Sequence, residues 1–563
     1  MVRAGSRSRG VSIGNVSAFL VCVCLVVPRA PAAAQASDDV VAPADLVLLG
    51  GQVITLDPRD RVTQAIAIRG NRIVAAGPDA EIRRLTGPKT RVIQLSGRGV
   101  TPGFIDSHTH VESTAEFRNF WVDLHSPPLP TEPSSAAILQ KLSERASAVP
   151  PGTWVVGQGP FGPQVPPTAA ELTAAFPDHP VVVKYGMHQY VANRKALEMA
   201  NITKLTPDPP GGRIERGEDG EPTGMLLECF ELFPIPYPRA ELKQALEKTL
   251  TEDFLKQGVT TVYELSVTAA ANGLYQELRD EGRLPVRLQI GYMIYPALQP
   301  VIDLESLLAM GVHTGFGDDW LSIGPAKLFV NGAGAGVPLI RRDQAMLNNT
   351  ALRLHHAGWQ LWIHAIGAPA QDMALEALET VLRADPRADP RHRIEHIGGV
   401  LDPPRFERMK RLGLIPVPTE PALPYGRSRG SGNSGDSEPV RYPYRTLLAM
   451  GFQPPGNSDT GGSYSWQMNA IARLAMFVTR ASEDGTPYHP EEAVSVTQAL
   501  RILSTYGAYA GFEEKTRGTL EVGKLADLVV LSMDPLSIAP DQLKDLRIDL
   551  TILDGAVRYE RPR

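Results

Sequence analysis

Cysteine is scarce. The 563 residues hold 3, and two of these, Cys22 and Cys24, lie inside an apolar run near the start, so no disulfide framework can be drawn across the chain. Charge of one sign is scarce too. Lys and Arg total 56 against 62 Asp and Glu, the formal net charge is −6, and no long basic run occurs, which argues against nucleic acid as a partner. Aromatics make up 6% and are scattered, which leaves no stacking face for a carbohydrate-binding module. No apolar run reaches the roughly 20 residues of a membrane-spanning helix. There is no repeat of solenoid period and no coiled-coil heptad. What is present is ordinary: 43% apolar residues, enough to exclude a mostly disordered chain and to bury a large core. The length suits several domains or one large barrel with additions.

The start carries an address. Arg3, Arg7 and Arg9 precede an apolar run of 12 residues, 16–27, and Ala32-Ala-Ala-Gln-Ala36 supplies small residues for cleavage after Ala34 or Ala36. Residues 1–36 therefore read as a signal peptide, and the mature chain as periplasmic or secreted, with no membrane contact after cleavage. Its removal takes away four arginines and no acid, so the formal charge moves from −6 to −10. Cys229 then stands alone and reads as a buried structural thiol.

Short β patterns at 45–56 and 65–76 are echoed by 518–532 and 550–559. Two all-β ends around a long middle predict a small β-sandwich built from both termini, 37–100 and 501–563, the latter including a last barrel helix. The middle, 101–500, alternates strand and helix patterns, as a parallel sheet with crossover helices requires. Strands are expected at 103–108, 258–264, 286–294, 322–330, 359–364, 392–396, 414–419 and 453–459. Leu242, Leu246, Leu250 and Phe254 recur every four residues up to Gly258, and Met373, Ala377, Leu378, Val381 and Leu382 form a second apolar stripe. The predicted fold is α/β, a (β/α)8 TIM-type barrel with a subdomain inserted at 125–237 after its first strand. That insertion opens with Pro127, Pro128, Pro130 and Pro133, and 427–438 reads as a polar loop.

The chemistry gathers at strand ends. In Thr101-Pro-Gly-Phe-Ile-Asp-Ser-His-Thr-His-Val-Glu112, His108 and His110 are two apart and share a face at the end of the first strand, where barrels build their sites. His364 and His396 end two later strands, Asp459 another, and Lys327 interrupts an apolar one. Imidazole and carboxylate together suit a zinc-like ion, and a buried lysine needs a partner or a modification. The bland alternatives are locally hydrogen-bonded histidines and a salt-bridged lysine.

These stretches, spread in order over about 45–559, resemble the amidohydrolase superfamily, in its YtcJ-like (amidohydrolase-3) branch. The motifs are Pro102-Gly-Phe-Ile-Asp-Ser-His-Thr-His110, Lys327-Leu-Phe-Val330, His364-Ala-Ile-Gly367, Arg393-Ile-Glu-His396 and Ser458-Asp459. Pro209-Pro-Gly-Gly-Arg-Ile214, Pro222-Thr-Gly-Met-Leu-Leu227 and the glycine-framed strand at 518–530 join them. The resemblance implies a metal-dependent hydrolase with two divalent ions, zinc by default. His108, His110 and Asp459 would hold one, His364 and His396 the other, and an N-carboxylated Lys327 would bridge them. It also implies attack on the scissile carbonyl by a bridging hydroxide, with Asp459 taking the proton and returning it to the leaving amine. His188 falls where that branch often has a histidine in the inserted subdomain and is a candidate substrate contact, and Glu264, at the end of the second predicted strand, could face the mouth in a substrate or supporting role. Glu112 stands between a role behind the histidines and a helix cap, and 332–336 reads as a loop close to the site rather than a dinucleotide loop.

Three departures loosen the substrate. Ala368 follows Gly367 where the branch usually has Asp, Asn331-Gly332 replaces a common Asp-Gly, and Thr460-Gly-Gly replaces an aromatic-Pro. The favoured reading is an exported hydrolase of a C–N bond in a small amide-type molecule. An ester, lactone or carbamate hydrolase with the same centre, and a silent binding protein on the same fold, stay open. A homodimer is the expectation that goes with the family.

Overall fold

The structure is a computed structural model. It describes residues 42–562 apart from 125–133, 160–166, 187–188, 210–211, 266–267, 295–301, 332–342, 398–401, 419–441, 462–468, 482–484 and 486. The signal segment, Pro127 to Pro133, the 332–336 and 427–438 loops and His188 lie outside the described residues.

Seven parallel strands form one curled sheet: β1 (Phe104–Thr109), β2 (Val259–Leu265), β3 (Arg287–Met293), β4 (Leu321–Phe329), β5 (Leu361–His364), β6 (Arg393–Glu395) and β7 (Ile415–Val417). Each pairs in parallel with the next. Every residue of β2 and β3 is buried, as expected of strands covered on one face by helices and on the other by the barrel interior. Helices return between them, among them Ala269–Asp280 after β2, Gln344–His356 after β4 and Ala368–Ala384 after β5. This is a TIM-like α/β barrel, and seven of the eight expected strands lie where the patterns put them.

The eighth does not form a regular strand. Pro454 and Pro455 supply no N–H where a ladder needs donors, so 453–459 closes the seam by other means. Ser107 N donates to Gly456 O at 3.1 Å, Asp459 N to His108 O at 2.9 Å and His110 N to Thr460 O at 2.7 Å. On the β7 side, Asn457 Nδ2 donates to Pro418 O at 2.9 Å.

The helix expected to stop at Gly258 runs from Arg239 to Thr249, loosens into a π turn (Leu250–Phe254) and a 3₁₀ turn, and ends where Gly258 takes φ +79°. The chain ends build two further sheets. One joins Arg72–Gly77, Ala65–Arg69, Leu46–Leu49 and Arg91–Gln94. The other sets Leu528–Leu531 antiparallel to Gly99–Pro102, so that it mixes the two ends. Leu46, Ile66, Val100, Leu528 and Ile552 share one apolar cluster across both sheets. Buried Arg287, opening β3, pairs with Asp527 at 2.7 Å and Asp554 at 2.9 Å, tying the barrel to these sheets. Six strands between Val122 and Leu227 form a separate sheet in the stretch between β1 and β2. Among the described residues no helix is long and apolar enough to cross a membrane.

Candidate metal centre

His108 reaches the barrel mouth through a register slip. Val262 of β2 pairs with Asp106, but Glu264 pairs with Thr109, so β1 carries an extra residue there. Ile105 lies in an interior cluster with Trp362, and His108 sits 6.1 Å from the same ring. Three positions apart, the two face the same interior because the bulge reverses the alternation. His396 and Asp459 arrive by backbone turns of another kind, with φ of +65° and +47°. Both are in the left-handed region, uncommon for residues other than glycine.

The six candidate ligands converge. Lys327 Nζ lies 3.0 Å from His108 Nε2. Asp459 Oδ1 is 3.6 Å from His108 Nε2 and 3.5 Å from His110 Nε2, and its Oδ2 is 3.5 Å from His396 Nδ1. The His396 ring stands 4.3 Å from that of His364, which stacks on Phe329 at 4.6 Å. One donor atom each from His108, His110 and Asp459 fall within 4.8 Å of one another. Asp459 is the most open of the set, its side chain 25% exposed against 1–8% for His108, His110 and His396.

Each imidazole in the trio is aimed from behind. Glu395 Oε2 lies 2.7 Å from His108 Nδ1, and both Glu395 oxygens accept from Arg393, so Nδ1 is the donor and Nε2 faces the centre with its lone pair. The Leu265 carbonyl does the same for His110 Nδ1 at 3.3 Å. Burial, then the Lys327 charge, hold His108 and His396 well below the usual histidine range, so their lone pairs stay free for a cation. Burial pulls the Lys327 ammonium down to about 8, against the opposing pull of Glu395 and Asp459. Burial would raise Asp459, but His108, His110 and Lys327 outweigh it and hold the carboxyl at about 2.

Glu264 needs correcting. It is fully buried, and its oxygens accept from Val111 N, from Glu112 N at 3.1 Å and from Thr109 Oγ1 at 3.2 Å. It therefore tethers the helix Val111–Phe120 at its first turn and presents nothing to a substrate. Glu112 accepts from Thr268 N at 2.7 Å, at the N-terminus of the helix Ala269–Asp280. Cys229 is buried, and burial pushes its thiol up to about 12, which suits a structural role. Sequence reasoning gave no role to Arg393 or Glu395, although they stand two apart on one strand face inside a quoted motif.

The arrangement has counterparts. The Amidohydrolase family profile matches residues 91–559. The N-substituted formamide deformylase of Arthrobacter pascens is 31% identical over 550 residues, 92% of this chain and 98% of that protein. The YtcJ protein of Bacillus subtilis is 27% identical, over 91% and 99% of the two chains. An uncharacterized metal-dependent hydrolase from Pyrococcus furiosus shares the fold with a TM-score of 0.64 at 22% identity, over 87% of this chain and 100% of that one. With four histidines, an aspartate and a lysine meeting at the mouth of the barrel, the chain belongs to the amidohydrolase family of metal-dependent hydrolases, in its YtcJ-like branch.

Proposed function

We propose that the protein hydrolyses a C–N bond of a small amide-type substrate, N-substituted formamides being the first class to try, and that it works outside the cytoplasm after losing residues 1–36. The observation that carries the reading is the Asp459 carboxylate, 3.5–3.6 Å from three imidazoles and partly open. It is ionised, surrounded by nitrogen donors and the most accessible group of the cluster, which suits a proton carrier. The formamide class rests on the named activity of the Arthrobacter relative. We read the two end sheets as one sandwich domain and the 122–227 sheet as the inserted subdomain.

The donor set fits divalent metal. Imidazole nitrogens with the other ring atom anchored, plus a carboxylate, are zinc ligands of the usual kind. His108, His110 and Asp459 would hold one ion, His364 and His396 a second, with Lys327 between them. When bound, the ions supply an acidified water and polarise the substrate carbonyl. Lys327, kept partly neutral by burial, adds through Nζ to carbon dioxide. An N–C bond forms as one C–O π bond of carbon dioxide opens, one proton leaves, and the neutral amine becomes an anionic carbamate that would suit a place between two cations. Asp459 Oδ accepts the proton of the attacking water and passes it to the departing nitrogen, so that a neutral amine leaves.

The test is elemental analysis of purified protein, then a screen of N-substituted formamides, other amides, carbamates, esters and lactones. Amide turnover is expected to exceed ester and lactone turnover. Asp459→Asn should keep at least half of the metal and lose about 10²–10⁴-fold in kcat. Metal-free wild type after loading, or an Asn variant of full activity, would overturn the reading.

A further inference from the structure

Behind His108 lies a buried charge pair. Arg393 and Glu395 share one face of β6, and both are wholly buried. Arg393 Nε donates to Glu395 Oε1 at 2.7 Å and its Nη2 to Oε2 at 2.9 Å. The same Oε2 takes the His108 Nδ1 proton at 2.7 Å. The Arg393 guanidinium carbon also lies over the Trp362 ring, 3.4 Å from its centroid. Arg393 Nη1 has no acceptor among the described residues, so Glu395 is the one anion there that meets this guanidinium.

A backbone carbonyl would suffice to orient the ring, as Leu265 O does for His110. A buried ion pair is an expensive substitute, since two desolvated charges seldom stabilise a fold more than an apolar pair of the same volume. What a carboxylate adds is charge. It makes the imidazole a stronger donor at Nε2 and favours the state in which His108 faces a cation. Arg393 holds both carboxylate oxygens in place through a planar fork that lysine could not supply.

We infer that Arg393 and Glu395 are positioning residues for metal uptake. Glu395 fixes the tautomer and orientation of His108, and Arg393 fixes Glu395. The inference rests on the metal-centre reading and deepens it by assigning the affinity of one ion to a pair that touches neither metal nor substrate.

The test is Co²⁺ binding to metal-stripped protein, followed by chelator competition and by the visible Co²⁺ spectrum. Glu395→Gln keeps an oxygen for Nδ1 but loses the charge, and should weaken binding about 10–100-fold. Because it strands a buried guanidinium, the double variant Arg393→Met/Glu395→Gln is made alongside. It should melt within a few degrees of wild type without metal and still bind Co²⁺ about tenfold or more weakly, with an altered spectrum. A double variant that folds and binds with the wild-type constant would overturn the inference and leave a merely structural ion pair. His108→Ala separates the two claims. If it leaves Co²⁺ affinity unchanged, the metal-centre reading itself fails.

Discussion

Two lysines in this protein are buried in the same degree and in different company. Lys327 is 1% exposed and Lys184 5%, and burial pulls each down to about 8. Lys327 ends among donors, 3.0 Å from an imidazole nitrogen, with four histidines and an aspartate around it. Lys184, on the strand Val181–Tyr185 of the insertion, ends among rings: Phe230 at 4.0 Å, Trp121 at 4.5 Å and Tyr190 at 5.9 Å. The carboxylates that act on it are Glu116 and Glu231. A perturbed lysine is thus no marker of chemistry by itself. Ligand atoms beside the nitrogen distinguish a reactive site from a packed one.

The contrast can be broken most sharply at Lys327. Lys327→Ala should lose most metal and about 10³-fold or more in kcat, and recover part of both with added formate or acetate; full metal and turnover in that variant would abolish the distinction. Lys184→Met should leave kcat within about twofold and act on stability instead. The folded value of Lys184, about 8, lies below the usual lysine value of 10.5, so the native chain holds fewer protons than the unfolded one between those values. Its contribution to stability therefore rises with pH across that window, by at most about 3 kcal/mol. Melting curves at pH 8 and pH 10 should show a smaller gain for the Met variant than for wild type. Smallest is Phe230→Leu, which removes the nearest ring and should cost about 1 kcal/mol with metal content untouched. A loss of metal there would tie the insertion to the centre.

Much of the barrel was legible because strands such as β5 are short, largely apolar runs, and because His364 ends that strand while His108 lies near the end of β1. The eighth strand was misread because Pro454 and Pro455 lack the donors that a ladder at 453–459 would need. Glu264 was misread for a different reason. Its place at a strand end suggested the mouth, while the groups that claim it, the first amides of the helix Val111–Phe120, lie more than 150 positions away in the chain. Glu395 went unassigned because its partner, His108, is 287 positions distant, and alternation alone would have pointed His396 away from the site that its φ of +65° turns it into.

The left-handed turn at Asp459 has a consequence for how this position can vary. Aspartate, asparagine and glycine enter that conformation cheaply, whereas longer and branched side chains do not. Glutamate, the gentlest exchange by charge, is therefore a harsh one by backbone, and asparagine is tolerated by the chain while stripping out the acid. Neutral drift at this position thus has few exits, and those open to it abolish the proton carrier before they disturb the fold.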